Sequence, residues 1–194
     1  MVKREFTIDN EYVYSRTSPN RWIVAHVARY PLLPVIMFLA TIINNLAYSY
    51  IQVYVGQAFD LITTPDWATS ALAWIALGAV TMAIGQGVSG LIRNYGGEFL
   101  AQRIERDTRD ELYVNLLGKS QTFHGQQRIG DIMARATTDV RAINLMFSPG
   151  LTLILDSIVA AITPLVVIAQ IDPQLMLVPA IFLVFFAITL VDYN

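Results

Sequence analysis

Apolar residues along this chain come in runs too long for the core of a soluble domain. Between Arg29 and Asp60 thirty residues pass without a formal charge. Trp67–Ile92 is a second charge-free run, Leu145–Ile171 holds Asp156 alone, and Leu175–Val191 is a fourth. Crossing the ~30 Å of bilayer hydrocarbon takes about 20 helical residues, so the runs predict transmembrane helices. Their joints are short: Thr63-Thr64-Pro65-Asp66-Trp67 offers a Thr cap, a helix-starting Pro and an acid for the first turn, and Ile171-Asp172-Pro173 makes the other. Ahead of the runs, residues 1–17 are polar and without helical period, a cytosolic tail. Ser18-Pro19 is an N-cap followed by Pro at the first helical position, and Trp22, Ile23, Val27 and Tyr30 share one face with Arg21 and Arg29 beside it. The pattern predicts an interfacial elbow helix over 18–30, aromatics at headgroup level and arginines toward phosphate, ended by Pro31 and Pro34. The other reading of these residues is the first turns of the span that follows.

The polar excursion from Arg93 to Phe147 keeps a helical period on both sides of a turn. Leu100, Ile104, Thr108, Leu112 and Leu116 form a stripe at spacing four, and Arg103/Asp107, Glu105/Arg109 and Arg106/Asp110 are opposite charges one turn apart. From Ala68 to Leu117 is fifty residues. At ~1.5 Å each that is roughly 75 Å, far more than the lipid is thick. The turn lies within 118–130. Beyond it Ile129, Ile132, Met133, Ala136, Val140, Ile143 and Phe147 recur at three- and four-residue steps, while Asp131, Arg135 and Asp139 line another face. Pro149-Gly150 and Pro164 are expected to bend the helix that follows. The spans come out at about 31–62, 67–117, 128–171 and 173–194.

Charge orients these elements. Five of the thirteen Lys and Arg precede the first span, and eight lie in the excursion: Arg93, Arg103, Arg106, Arg109, Lys119, Arg128, Arg135 and Arg141. The joints near Pro65 and Pro173 have none. By the positive-inside rule the N-terminus and the excursion are cytoplasmic and both joints lie outside, as in a multi-pass plasma-membrane protein. A charged fraction of 14% and mean hydropathy of +0.49 agree with a membrane class. The first apolar run is longer than a signal-peptide core and does not end at a small-residue cleavage site.

Little in the chain resembles catalytic chemistry. The absence of cysteine excludes disulfides and thiolate sites, and His26 and His124 lie far apart without a zinc-type pattern. Gly118-Lys119-Ser120 ends like a phosphate loop, but Tyr113 stands where that motif needs its first glycine. No nucleophile elbow is present, so no catalytic, cofactor or metal residue is expected in these 194 residues. Basic residues in the excursion alternate with Asp and Glu, which argues against nucleic acid as a partner. Within the apolar runs, amides and acids stand out. Asn44, Asn45, Gln52 and Asp156 are candidates for a translocation path, helix packing being the plainer role for the amides. Ala79, Ala83 and Gly87, and likewise Gly85 and Ser89, repeat at spacing four and are expected to let helix backbones approach closely.

Residues 112–143, LYVNLLGKSQTFHGQQRIGDIMARATTDVRAI, resemble the first intracellular loop of the membrane domain of ABC exporters. The likeness rests on Leu-Tyr-x-x-Leu-Leu before the turn, an aromatic position within it, and Gly130, Asp131, Ile132, Arg135, Asp139 and Val140 after it. Asp172-Pro173-Gln174-Leu175 also resembles the family. The fold this implies is an all-α integral membrane protein with long transmembrane helices extending into the cytosol. It is an incomplete six-helix exporter domain, partial over 31–194. The resemblance makes the 118–130 turn a coupling helix that sits in a groove of a nucleotide-binding domain, with Gln121, Thr122, Phe123, His124, Gly125, Gln126 and Gln127 as its contact surface. His124 stands where the family often has Tyr or Phe. The implied partners are that nucleotide-binding domain, a second transporter half and membrane lipid; ATP and magnesium belong to the nucleotide-binding domain and not to this segment. The implied function is the membrane-spanning part of an ATP-driven exporter, read as the N-terminal fragment of a longer chain. The alternatives are an ion-coupled secondary transporter or channel subunit using Asp156, or a non-transporting truncated remnant.

Overall fold

In the computed structural model, residues 18–65 and 67–193 are described, and the expected cytosolic tail lies outside them. The described residues form helices without any strand. Helix α1 is Pro19–Ala28, α2 Leu32–Thr63, α3 Thr69–Leu117 and α4 Gln121–Gln126. Helix α5 covers Ile129–Ile171 and, after a 3-10 turn at Pro173–Met176, α6 covers Leu177–Tyr193. Among the described residues α2, α3 and α5 are long and apolar enough to cross a membrane.

Local chemistry explains most helix ends. The Ser18 hydroxyl accepts from the Arg21 amide, satisfying one of the four donors a helix start leaves open. Pro34 falls in the first turn of α2, where its missing N–H is no loss. At the first joint the expectation fails in detail. Thr63 and Thr64 donate their hydroxyls back to the carbonyls of Asp60 and Leu61, so they close α2, and α3 starts at Thr69, four residues past Pro65. Asp66 lies outside the described residues. Within α5 the backbone widens into π-helical turns at Arg135–Asp139 and Met146–Leu151, and Ser148 leaves helical geometry altogether (φ −128°, ψ 111°). A residue before proline is pushed away from the α region, which places the break one position ahead of Pro149. Pro164 lies inside Thr152–Ile171, which continues uninterrupted.

The chain divides into two compact units. The first contains the described residues up to Met37 together with Asn94–Leu153. Its core is Met37, Leu100, Ala101, Ile104 and Phe147, joined by Ile23, Val27, Tyr30, Leu33, Ile143 and Leu151. The stripe on α3 is therefore a packing face where Leu100 and Ile104 lie. The stripe on α5 is buried only in part: Ala136, Val140 and Phe147 are inside, but Ile129 and Met133 are exposed.

Polar contacts fasten α1 to α3. Trp22 Nε1 donates to Glu111 Oε2 at 3.1 Å, and the Tyr30 hydroxyl donates to Asp107 Oδ2 at 2.7 Å. Arg29 pairs with the same Asp107 oxygen at 3.1 Å. Of the groups expected at lipid headgroups, Trp22, Arg29 and Tyr30 are thus bonded to α3 carboxylates, because a fixed carboxylate on a neighbouring helix is an anion that needs no recruitment from lipid. Of the expected one-turn pairs, Glu105–Arg109 forms at 2.6 Å. Asp107 turns to α1 and to Arg106, and Arg103 lies over the rings of Tyr30 and Phe99.

The second unit contains Phe38–Arg93 and the residues from Ile154 on. Its buried positions are small or polar: Ala40, Thr41, Ala47, Ser49, Ser89, Thr163 and Val167. Large apolar side chains such as Trp74, Ile84, Ile158, Ile162 and Phe182 point outward. Water would expel such a surface, whereas lipid accepts it, and small interior residues let helices meet without a hydrophobic driving force. The small-residue rows did not all come out as expected. Ala83 and Gly87 are exposed, and an added Cβ at Gly87 or Gly85 would meet open space. Close approach occurs elsewhere, at Gly78 against the Tyr54 ring and at Gly90, where a Cβ would lie 3.1 Å from Asn44 Nδ2.

Candidate functional site

Two groups of residues offer candidate function, one in each unit. In the first unit, α4 is a six-residue helix set between the ends of α3 and α5. Ser120 caps it by accepting from the Phe123 amide at 3.4 Å. Phe123 is half-buried, edge-on to His124 with ring centroids 5.6 Å apart, and Lys119 Nζ lies 5.5 Å from its ring centre. One His124 ring nitrogen sits 3.1 Å from the Leu116 carbonyl, which also accepts from the Lys119 amide at 3.0 Å, so this side chain folds back against the end of α3. Gln121, Thr122, Gly125, Gln126 and Gln127 are exposed around the ring pair. The result is an aromatic centre with a polar rim, held by its own capping bonds. The contact of His124 with α3 was not legible in the sequence, because the Leu116 carbonyl lies eight residues back across a turn.

In the second unit, Asn45, Asp156 and Arg93 converge from α2, α5 and α3. Asp156 Oδ1 accepts from Arg93 Nη1 at 2.5 Å and from Asn45 Nδ2 at 3.2 Å. Asn45 Nδ2 also lies 3.0 Å from the Thr41 carbonyl, which fixes its amide toward the acid. The Asp156 side chain is 34% exposed and that of Arg93 19%, so the acid is the more accessible partner. Among the other sequence candidates, Asn44 donates to the backbone carbonyl of Gln86 at 2.7 Å, a packing bond between α2 and α3. Gln52 is exposed and does not join the cluster. Of the four residues, the structure therefore gathers Asn45 and Asp156 and separates Asn44 and Gln52. Arg93 is the member that sequence reasoning missed. It closes a charge-free run, and that position marked it as the start of the polar excursion rather than as a partner for an acid 63 residues on.

A buried histidine belongs to the first unit. His26 on α1 is fully enclosed, its ring centre 3.9 Å from that of Trp22, with Nδ1 3.0 Å from the Trp22 carbonyl and Nε2 3.9 Å from Glu111. Loss of solvation on burial pushes its pKa down from the usual 6.5. The Trp22 carbonyl and the Glu111 and Asp107 carboxylates pull the other way and do not overcome it.

Comparison with known proteins places these features in one family. Residues 35–191 match the family described as the ABC transporter transmembrane region, which takes in α2 through nearly all of α6. The chain is also 28% identical over 79 residues to YknU, an uncharacterized ABC transporter ATP-binding protein of Bacillus subtilis (strain 168). That match spans 41% of this chain and 14% of the relative. Long apolar helices, an outward apolar surface and a family match over most of its length make one assignment: this membrane protein belongs to the ABC transporter transmembrane region family.

Proposed function

We propose that the chain forms the membrane-crossing part of an ATP-driven exporter of the plasma membrane, with its N-terminus in the cytoplasm. The observation that carries this reading is the run of α3, α4 and α5. A 49-residue helix, apolar at its start and charged toward its end, turns through a short capped helix into a 43-residue helix that becomes apolar again. At ~1.5 Å per residue α3 is roughly 73 Å long against a hydrocarbon core of ~30 Å. Its charged end projects into water, and α4 with it. Gln121–Gln127 is the docking surface for a nucleotide-binding domain that binds ATP and magnesium. Phe123 and His124 are the anchor, as aromatic hot spots in grooves are elsewhere. Rigid helices pass the displacement of that domain to the spans, and a second transporter half completes the path. Asn45 and Asp156 face that path.

The test replaces both rings in the protein as its gene encodes it, together with its ATP-binding partner. Phe123→Ala with His124→Ala is expected to cut ATP-driven flux at least tenfold while ATP hydrolysis continues. Unchanged flux would remove the docking assignment, and labels placing Gln121–Gln127 at headgroup level or outside the cell would remove the whole arrangement. The alternative of an ion-coupled carrier rests on Asp156. It requires that a proton or cation gradient alone drive flux and that Asp156→Asn abolish it.

A further inference from the structure

We propose that Arg103, held against Phe99 and Tyr30, binds the phosphodiester of an anionic phospholipid where α3 leaves the membrane, with Arg106 as a second donor. Such a site needs only that the chain lies in a membrane, whatever it transports. The Arg103 guanidinium lies over the rings of Phe99 and Tyr30, 4.5 and 5.1 Å from their centres. Ring contacts hold a guanidinium without using up its five N–H donors. Among the described residues Arg103 makes no hydrogen bond or ion pair. The carboxylates around it are engaged elsewhere. Asp107 takes Tyr30, Arg29 and Arg106, Glu98 takes Gln102 and Ser148, and Glu105 takes Arg109. Asp110 stands almost two turns further along α3 than Arg103. Arg106 spends Nε and Nη2 on Asp107 and Tyr30, which leaves Nη1 for an incoming acceptor.

The surroundings select a lipid phosphate over a free one. Tyr95, Phe99 and Arg103 follow at spacing four and so share a face of α3, and the Tyr95 and Phe99 rings are both exposed. A helical side chain leans toward the N-terminus of its helix, which for α3 is the apolar end, and Arg103 does so by reaching the ring one turn back. Arg93, the first charge after the apolar run, stands six residues before Phe99. At ~1.5 Å per residue that is roughly 9 Å, close to the ~5–7 Å depth of a headgroup layer, where aromatic side chains collect. A free phosphate would leave both rings in water. A phospholipid sets its glycerol and upper chains against them while its phosphate meets the guanidinium in the forked geometry that suits arginine.

The experiment is native mass spectrometry of the full gene product, purified in detergent and offered equal amounts of phosphatidylglycerol and phosphatidylcholine. Wild-type protein is expected to retain phosphatidylglycerol several-fold over phosphatidylcholine, and inorganic phosphate at the same concentration should not displace it. Arg103→Gln should bring the two lipids close to parity. Phe99→Leu keeps an apolar side chain and leaves Tyr30 in place; it should lower the preference part of the way, because the guanidinium loses one of its two supports. Arg109→Gln removes the same charge from a residue paired with Glu105 and should leave the preference unchanged. Equal retention of the two lipids by wild type would overturn the site. So would equal losses in Arg103→Gln and Arg109→Gln, which would reduce the effect to overall charge. Displacement by inorganic phosphate would give the arginines to a free anion and end the lipid assignment. An undiminished preference in Phe99→Leu would overturn it as well, so the outcome is decided even if Arg103→Gln does not fold.

Discussion

Asp107 is where the attachment of α1 to the rest of its unit can be tested most directly. Its side chain is 4% exposed, and the donors it meets include the Tyr30 hydroxyl at 2.7 Å, Arg29 at 3.1 Å and Arg106 at 2.9 Å. These are not equal. A hydrogen bond to a charged acceptor contributes about 1.5–3 kcal/mol, so the bond from Tyr30 is the large one. Arg29 is 23% exposed, and its pairing with a buried carboxylate adds less than a fully buried pair would, about 1–2 kcal/mol. Arg106 is 58% exposed, and water screens it to a few tenths of a kcal/mol. Asp107→Asn keeps the shape but gives up the charge, and we expect it to weaken α1 docking by about 2–4 kcal/mol. At 1.4 kcal/mol per decade, amide hydrogen exchange in α1 should accelerate roughly thirty- to several-hundred-fold. Exchange in Leu100–Ile104 of α3 should barely change, because those residues are held by apolar packing. Tyr30→Phe is expected to show about half the effect and Arg106→Gln almost none. If Asp107→Asn and Arg106→Gln accelerate α1 exchange equally, the reasoning from burial is wrong.

Two further outcomes follow from the same geometry. Docked His26 has a pKa below 6.5 while detached His26 returns to about 6.5, so the detached state takes up the proton first as pH falls. α1 docking should be at full strength above pH ~6.5 and weaken below it, levelling once the docked histidine also titrates. Emission from Trp22, whose ring centre lies 3.9 Å from that of His26, is the readout, and tighter docking in acid would refute the sign. Asn44→Ala removes the bond to the Gln86 carbonyl and should lower resistance to denaturing detergent by about 0.5–1.5 kcal/mol, whereas Gln52→Ala, at an exposed position, should leave it unchanged.

Much of this protein is written along the chain, for a simple reason. Whether a segment can cross lipid depends on the length and polarity of a continuous run, and both are properties of consecutive residues. The presence of the long apolar helices α2, α3 and α5, the break beside Pro149, the Ser18 cap and the membrane class are all of this kind. Spacing at three and four also located the α3 stripe, because residues one turn apart share a face wherever the helix lies. Periodicity does not say which face meets a neighbour. The small row Ala79, Ala83 and Gly87 is as regular as any, yet close contacts fall at glycines outside it, Gly78 and Gly90 among them. Nor does it say which charges meet across helices. Asp107 has an arginine one turn before it in sequence, but its charge is met by Arg29 and Tyr30, just past the end of α1, as well as by its neighbour Arg106. Arg93 and Asp156 are 63 positions apart, and only the packing of three helices brings Asn45 to the same oxygen. Local pattern determined the elements; the pairing of buried charge was decided by tertiary contact, because an ion in an apolar surrounding takes the best-placed counter-charge in space, however distant in sequence.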